Sequence, residues 1–191
     1  MPQNSAPTSQ EPSQPSVIST NAKSTFLAHK ELCRPFEASQ ISWRLGATNA
    51  KKNKEQNINN GCPSKGIALA YITARDVMMR LDEVVGPFNW ETHMSEIAGT
   101  SAVSLTLTID GQKITRTDTA GQTDVEGEKG AASTSLRRAA AQFGIGRYLY
   151  KLPNVWVDVG DYGRFEPPAL PSWALPQNWD NVYTRIEAKF L

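Results

Sequence analysis

The polar and apolar residues of this chain change period along its length, and each period predicts a different element. Residues 67–71 alternate apolar with small side chains, which predicts a strand. From Thr73 the spacing becomes helical, Asp76 stands in the matching capping-box position, and Gly86 before a proline ends the helix. Residues 90–97 then predict a further strand.

The second half of the chain shows a β-hairpin pattern followed by a helical one. Apolar residues alternate with Ser and Thr over residues 103–109, and an Asp-Gly turn leads into a second strand over residues 114–119. Helical spacing then runs over residues 130–143 and stops at Gly144. These elements predict an α+β fold, an antiparallel β-meander (β-β-β-α core) with a long helix packed across it.

Composition divides the chain into three parts. Residues 1–23 are rich in Pro, Ser, Gln, Thr and Asn, which predicts a disordered tail. Residues 24–157 hold the periodic elements and form one predicted domain, within which the polar, basic residues 46–64 predict a mobile loop. Residues 158–191 are rich in Pro and Trp and predict an extended segment with a short final helix.

Charge is segregated along the chain, although the formal net charge is only +1. Residues 44–65 hold five basic residues and one acid, and residues 129–151 hold five basic residues and no acid. Residues 66–128 between them hold four basic and ten acidic residues. Such segregation creates a local positive field that attracts a polyanion.

Several function classes lack their signatures. Cys33, Cys62, His29 and His93 are scattered and have no CxxC spacing, so we predict ordinary thiols and no metal or cofactor. No apolar run reaches the ~20 residues that span a bilayer. With no signal-peptide pattern either, the expectation is a soluble protein of the bacterial host cytoplasm, associated with the nucleoid. A GxxxxGK[ST] phosphate loop is absent, which argues against a nucleotide-driven motor.

The helix over residues 130–143 carries an arginine pair suited to phosphate. At ~100° per residue, Arg137 and Arg138 leave the apolar stripe, which we place near Leu136. Guanidinium groups offer bidentate donors that match phosphate geometry. The alternatives are a solvated helix face, or pairing of these arginines with acids from residues 66–128.

Other basic residues extend this candidate surface. Arg44 ends the predicted strand ISWR and leads into the basic loop, where Lys51, Lys52 and Lys54 add diffuse attraction to a nucleic-acid backbone. Lys65 closes this basic segment. For the three loop lysines, a solvated loop without function is an equal alternative.

Two tyrosines are interleaved with basic residues after the helix. Tyr148 and Tyr150 stand between Arg147 and Lys151, and aromatics in such a setting stack on bases. Core packing is the alternative, which we favour for at least one tyrosine.

An acidic stretch supplies the alternative of an enzyme. Asp124, Glu126 and Glu128 are the type of ligand that Mg²⁺ prefers, as in a metal-dependent nuclease. No lysine or histidine partner is evident from spacing, and a solvated loop or intersubunit salt bridges explain the same residues.

Four stretches in order resemble the Rad52/Rad22 superfamily of single-strand annealing proteins, with bacteriophage or prophage members most similar. They are ISWR, AYITARDVMMRLDEVVGPFNW, TDTAG and TDVEGEKGAASTSLRRAAAQFGIGRYLYKLP, within about residues 36–156. The resemblance implies subunits that assemble into a ring or helical filament, with single-stranded DNA in a basic groove. It implies ATP-independent annealing of complementary strands in homologous recombination and double-strand break repair, by a protein that is not an enzyme.

The resemblance also implies site residues. Arg44, Arg137 and Arg138 match groove contacts to phosphate, and we add Lys65 and Arg147 to the predicted DNA-binding set. Lys129 falls near a lysine of a second, outer DNA site, but another lysine of that site has no counterpart in AGTSAVSLTL, so the outer site stays open.

Two further hypotheses concern partners and function. A single-strand-binding protein or an exonuclease, from host or phage, is the candidate protein partner. A non-annealing single-strand-binding or replication accessory protein is the alternative to annealing, and a nuclease is the second alternative.

Overall fold

The structure, a computed structural model, describes residues 17–121 and 127–187, with side chains over residues 24–121 and 130–184. The α-helices are Val17–Cys33 (α1), Ala50–Glu55 (α2), Ala74–Val85 (α3), Gly127–Gln142 (α4) and Trp179–Glu187 (α5). The strands are Ser42–Thr48 (β1), Lys65–Tyr71 (β2), Trp90–Ile97 (β3), Thr100–Ile109 (β4), Gln112–Thr119 (β5) and Val155–Asp158 (β6). Helices combined with antiparallel sheets confirm the predicted α+β class. Within the described ranges, no helix is both long and apolar enough to cross a membrane.

The strands form two three-stranded sheets, where the sequence predicted one meander. Strands β3, β4 and β5 are the meander, and Asp110 and Gly111, with φ of 50° and 76°, form its second turn. This confirms the predicted hairpin, because a two-residue turn of this hand needs positive φ at both residues. The other sheet has the order β1-β2-β6, and β6 joins it only after α4. The predicted β-β-β-α core is present as β3-β4-β5 with α4, whereas the pairing of β6 with β2 was not predicted, because it joins residues far apart in the sequence.

Helix α4 packs across the β3-β4-β5 sheet as predicted, but its buried face is rotated from the predicted stripe. Ala131, Ser135 and Ala139 are fully buried, whereas Leu136 is half-buried. The Ser135 hydroxyl donates to the Ser101 carbonyl at 3.1 Å, so this buried polar group is satisfied. Small side chains let the helix lie close to the strands, which is why they take this face.

The core lies between α1, α3, α4 and the central strand β4. Its large members are Leu32, Phe36, Val77, Leu81, Leu105, Leu107 and Phe143. Arg80 is buried at its border, where the guanidinium lies 4.2 Å from the Phe36 ring centroid and donates to the Glu31 carbonyl at 3.0 Å. Arg80 therefore satisfies the carbonyl end of α1 and has no free role in ligand binding.

Local signals positioned α3 and β3 as predicted. The Thr73 backbone N–H donates to the Asp76 carboxylate at 2.7 Å, and the Asp76 N–H donates to the Thr73 hydroxyl at 3.3 Å. This reciprocal capping box begins α3, and Gly86 with φ of 86° ends it.

The segment 46–64, predicted as a mobile loop, is folded around two asparagines. The Asn49 side-chain oxygen accepts from the backbone N–H groups of Ser64 and Lys65, both at 3.0 Å. Asn53 is buried, and its amide donates to the Cys62 carbonyl at 2.6 Å. The loop prediction was wrong because side-chain amides stabilise a turn that apolar patterning does not reveal.

A helix lies at each end of the described chain, and only the first one departs from the prediction. Helix α1 begins at Val17, inside the predicted tail 1–23, because Leu32 anchors its later turns and a nucleated helix extends at little cost. Residues 1–16 lie outside the described residues. The final helix, α5, is confirmed, and Trp179 and Tyr183 are buried on it. The Trp179 indole N–H donates to the Lys30 carbonyl at 3.1 Å, which joins α5 to α1.

Candidate nucleic-acid interface

The β1-β2-β6 sheet has two chemically different faces, which the strand register separates. Arg44 lies opposite Leu69, two positions from Tyr71, and cross-strand partners share a face. Trp43 and Ala70 belong to the opposite face, and both pack against the core. The Arg44 side of the sheet is therefore directed away from the core. We call it the outer face, and it carries Arg44, Lys65, Ile67, Leu69, Tyr71 and Trp156.

Lys65 extends the outer face to the beginning of β2. Its Nζ lies 3.2 Å from an Asp158 carboxylate oxygen, and both side chains are mostly exposed. An exposed ion pair of this kind contributes at most about 1 kcal/mol, so phosphate can displace Asp158. At a rise of about 3.3 Å per residue, roughly 20 Å separate Lys65 from Tyr71.

Arg137 reaches the other end of the outer face from α4. Its guanidinium carbon lies 5.5 Å from the Tyr71 ring centroid, Nη1 donates to the Ile72 carbonyl at 3.3 Å and Nη2 to the Thr134 hydroxyl at 2.9 Å. The side chain is turned from the hairpin sheet, as predicted, but is half-buried against Tyr71. These contacts fix its orientation, and within the described part of the chain it forms no ion pair.

Arg138 points to the other flank of α4 and is paired. Its Nε donates to an Asp118 carboxylate oxygen on β5 at 2.8 Å, and Gln142 donates to the second oxygen at 3.2 Å. Burial acts to raise the pKa of Asp118, but hydrogen bonds from Arg138, the Thr119 N–H and Gln142 together lower it. The structure therefore confirms, for Arg138, the alternative in which an acid from residues 66–128 pairs with the arginine. The Arg138 side chain remains half exposed.

Arg147 holds the end of α4. Its Nε donates to the Ala141 carbonyl at 2.6 Å, and Nη2 donates to the Gln142 carbonyl. A basic side chain that satisfies the last carbonyls of a helix stabilises that terminus. Its predicted role in DNA binding stays a prediction.

The two tyrosines after α4 have different environments. Tyr148 is half-buried, and its hydroxyl accepts from the Phe36 N–H at 3.1 Å. Tyr150 is exposed. Core packing therefore explains Tyr148, and only Tyr150 is open for stacking.

Part of the predicted chemistry lies outside the described side chains. Lys129 and Glu128 fall within the backbone of α4, but their side chains are outside the described set, and Asp124 and Glu126 are outside it altogether. Among the described residues, no three His, Cys, Asp or Glu side chains are grouped to hold a metal. The Cys33 sulfur does lie 3.4 Å from His29 Nε2, and burial raises the pKa of this thiol to about 11.

The surface depressions of the described region lie away from the predicted residues. Two open depressions share Arg80 and Glu83 in their lining, and neither contains an outer-face residue. The candidate interface is thus an open surface. An open basic strip suits a chain-like polyanion better than a small molecule, which prefers a concave site.

The structure adds one residue to this interface that sequence patterning missed. Alternation placed Tyr71 at a strand end, but only the position of α4 shows that its ring supports Arg137. Tyr71 thereby places Arg137 at the end of the face that carries Arg44.

Comparison with known proteins decides the family. A family profile described as "Rad52/22 family double-strand break repair protein" matches residues 27–164. The chain belongs to the Rad52/22 family. The predicted resemblance is confirmed, and the matched region of this family member includes both sheets and α4.

Two relatives give the family membership more detail. A protein named single-stranded DNA-binding protein DdrA from Deinococcus radiodurans is 35% identical over 153 residues, which cover 78% of this chain and 68% of that protein. A protein of the same name from Deinococcus deserti is 37% identical over 153 residues, covering 78% and 70%. The bacteriophage or prophage type stays a prediction for this Rad52/22 chain.

Proposed function

We propose that this chain binds single-stranded DNA across the outer face and promotes annealing of complementary strands in recombination and double-strand break repair. The proposal depends chiefly on the strand register, which brings Arg44 and Lys65 to one face with Arg137 over Tyr71 at its end. Family membership and the name of the DdrA relatives support it.

Annealing requires geometry and charge, and no bond is made or broken. Strands must be held extended and relieved of self-pairing, and their phosphate charge must be neutralised so that two polyanions can approach. Cations spread along about 20 Å of β2 can hold several phosphates of one strand. Phosphate contacts carry no base information, so binding tolerates any sequence. The protein therefore needs neither ATP nor a catalytic residue.

The basic residues of the site have different environments, and each would contact phosphate in its own way. Hydrogen bonds to the Ile72 carbonyl and the Thr134 hydroxyl hold Arg137 in place, and Arg137 contacts phosphate directly. Arg44 lies on the same face, opposite Leu69, and its side chain is exposed. Arg138 lies on the other flank of α4, where it pairs with Asp118, so its predicted contact with phosphate is not part of this outer-face site and stays a prediction. Lys65 exchanges Asp158 for phosphate.

We also propose that the chain forms a homo-oligomer, a ring or a helical filament, through the edge strand β3. Thr92 and Met94 lie opposite the buried Leu105 and Val103, so they share the core-facing side of the sheet. Met94 is nevertheless 64% exposed. An eight-residue edge strand that exposes Met94 on this side can pair with another chain, and assembly joins weak sites into a continuous track.

The oligomer is tested by light scattering and negative-stain imaging, with and without DNA. We expect rings or filaments for the wild type and a smaller mass for Met94→Asp. Met79→Asp is the matched control, because Met79 is an exposed methionine of α3 away from this edge. A monomeric wild type, or an unchanged mass for Met94→Asp, contradicts the β3 interface.

The function is tested by annealing complementary fluorescent oligonucleotides in buffer that contains a chelator. We expect faster annealing with the wild type and little acceleration with an Arg44→Ala and Arg137→Ala double variant. The names of the relatives favour one second candidate, a single-strand-binding protein that does not anneal. Binding without acceleration would support that candidate, whereas cleavage that requires magnesium would support the nuclease. The bacterial location and the partner, a single-strand-binding protein or an exonuclease, stay predictions.

A further inference from the structure

Trp156 lies on the outer face, and neither the charge pattern nor the arginine pair predicts a role for it. In β6, Trp156 is opposite Ile67, and Asp158 is opposite Lys65. Because cross-strand partners share a face, the indole lies on the same side as Lys65. Its side chain is 53% exposed. Burial of a large aromatic side chain would stabilise the fold, so its exposure on a basic face points to a role other than packing.

The other tryptophans with described indole contacts show what a structural role looks like in this chain. The Trp90 N–H donates to Asp82 at 2.8 Å, and the Trp179 N–H donates to the Lys30 carbonyl at 3.1 Å. For Trp156 the described residues provide no hydrogen-bond acceptor, no ring partner and no cation above the ring. Its indole is thus available to a ligand.

The surroundings of Trp156 resemble a binding surface for a base next to a phosphate. Arg44 in β1 and Trp156 in β6 flank β2 from opposite sides. Two strand spacings of about 4.8 Å place them roughly 10 Å apart across the sheet, with an offset of two residues along it. Leu69 and Ile67, both half-buried, lie between them. The face therefore runs from a cation over an apolar floor to an aromatic ring.

We propose that Trp156 stacks on nucleobases of the strand whose phosphates Arg44 and Lys65 hold. This inference rests on the proposed function and adds a base contact to a site otherwise made of phosphate contacts. Every base has a flat π-face, so stacking on an indole strengthens binding without selecting a sequence. A stacked base is also held away from self-pairing within its own strand.

The proposal assigns Trp156 a contact with bases and not with the backbone. The test therefore compares a DNA ligand that has bases with one that lacks them. Fluorescence anisotropy measures the affinity of each protein for a dT oligonucleotide and for an abasic oligomer of equal length. We expect Trp156→Ala to lower affinity for dT by roughly tenfold and to leave affinity for the abasic oligomer unchanged. Trp173→Ala is the matched control, because Trp173 is a partly exposed tryptophan of the turn Ser172–Ala174, outside both sheets.

A second variant keeps the test sharp if the alanine variant folds poorly. Trp156→Phe retains a ring, so it should bind dT, yet it should lose most of the tryptophan quenching that dT causes in the wild type. Unchanged quenching, or an equal loss of affinity for dT and the abasic oligomer, overturns the stacking role. If wild-type protein fails to bind dT at all, the proposed function itself is overturned, and that result is distinguishable from the other two.

Discussion

The two sheets of this protein have the same number of strands and the same antiparallel pairing, but their open faces differ. In the β3-β4-β5 sheet, that face carries two hydroxyl pairs, Ser104 with Thr117 at 2.7 Å and Thr106 with Thr115 at 2.8 Å, and the exposed ion pair of Lys113 with Glu91. In the β1-β2-β6 sheet, the open face carries cations and a tryptophan. Both sheets consist of strands with alternating faces, so this difference in surface chemistry is the basis for proposing that the β1-β2-β6 sheet binds the polyanion.

A pair of similar ion pairs makes this comparison testable. Lys65 lies 3.2 Å from Asp158 in one sheet, and Lys113 lies 3.3 Å from Glu91 in the other. Both pairs join neighbouring positions on the protein surface and both are exposed. Any difference between variants of the two lysines therefore reports on their surroundings.

The largest expected effect separates folding from binding. Leu105 on β4 is fully buried, so Leu105→Ala should lower the free energy of unfolding by about 2–5 kcal/mol. Leu69→Ala on the half-exposed outer face should cost only about 1 kcal/mol. Urea unfolding of both variants measures this, and equal losses would mean that the outer face belongs to the folding core.

The next effect concerns affinity. Each charge-assisted contact contributes about 1.5–3 kcal/mol, so the Arg44→Ala and Arg137→Ala double variant should bind single-stranded DNA at least about 100-fold more weakly. Lys113→Ala with Arg116→Ala removes two cations from the hairpin sheet and should change affinity less than about threefold. Anisotropy titrations compare the pairs, with circular dichroism as the check on folding. Similar losses for both pairs would show that binding follows net charge and not the outer face.

Salt dependence gives a smaller and sharper effect. For single strands, the logarithm of affinity falls with the logarithm of salt with a slope of about −0.7 per neutralised phosphate. Contacts from Arg44, Lys65 and Arg137 predict a slope of about −2 per subunit. Lys65→Ala should reduce its magnitude by about 0.7, and Lys113→Ala should leave it unchanged. The assignment of Lys65 is wrong if both lysine variants keep the wild-type slope.

The smallest effect is a pH dependence on the hairpin side of α4. The pKa of Asp118 is lowered in the folded protein, so its pairing with Arg138 stabilises the fold above the ordinary carboxylate pKa. That stability is lost as pH falls through the lowered pKa. Unfolding measured across acidic pH should therefore be less pH-dependent in Asp118→Asn, and also in Arg138→Ala. An acid profile identical to the wild type in both variants would contradict the pairing.

Sequence patterning predicted the elements whose signals are local. The capping box at Thr73 and the turn at Asp110 act within a few residues, so α3 and the hairpin followed directly from the sequence. Two regions were not predicted, because the contacts that form them are either distant in the sequence or made by polar side chains. Strand β6 joins β2 from far along the chain, and the segment 46–64 is folded by the buried amide of Asn53.

The candidate site was predictable in its charges and not in its arrangement. Charge placement and family resemblance selected Arg44, Lys65 and Arg137, but a shared face depends on strand register and on where α4 lies. The pairing of Arg138 with Asp118 crosses from helix to strand, which helical angles alone do not reveal. Exposure of Trp156 follows only once β6 has joined the sheet.

The most direct test is to map where single-stranded DNA touches the protein. An oligonucleotide that carries photoreactive iododeoxyuridine is crosslinked to the wild type, and crosslinked peptides are identified by mass spectrometry. We expect crosslinks in Lys65–Tyr71 and Val155–Asp158, with Trp156 among the modified residues. Crosslinks confined to the β3-β4-β5 sheet would contradict the outer face as the DNA interface.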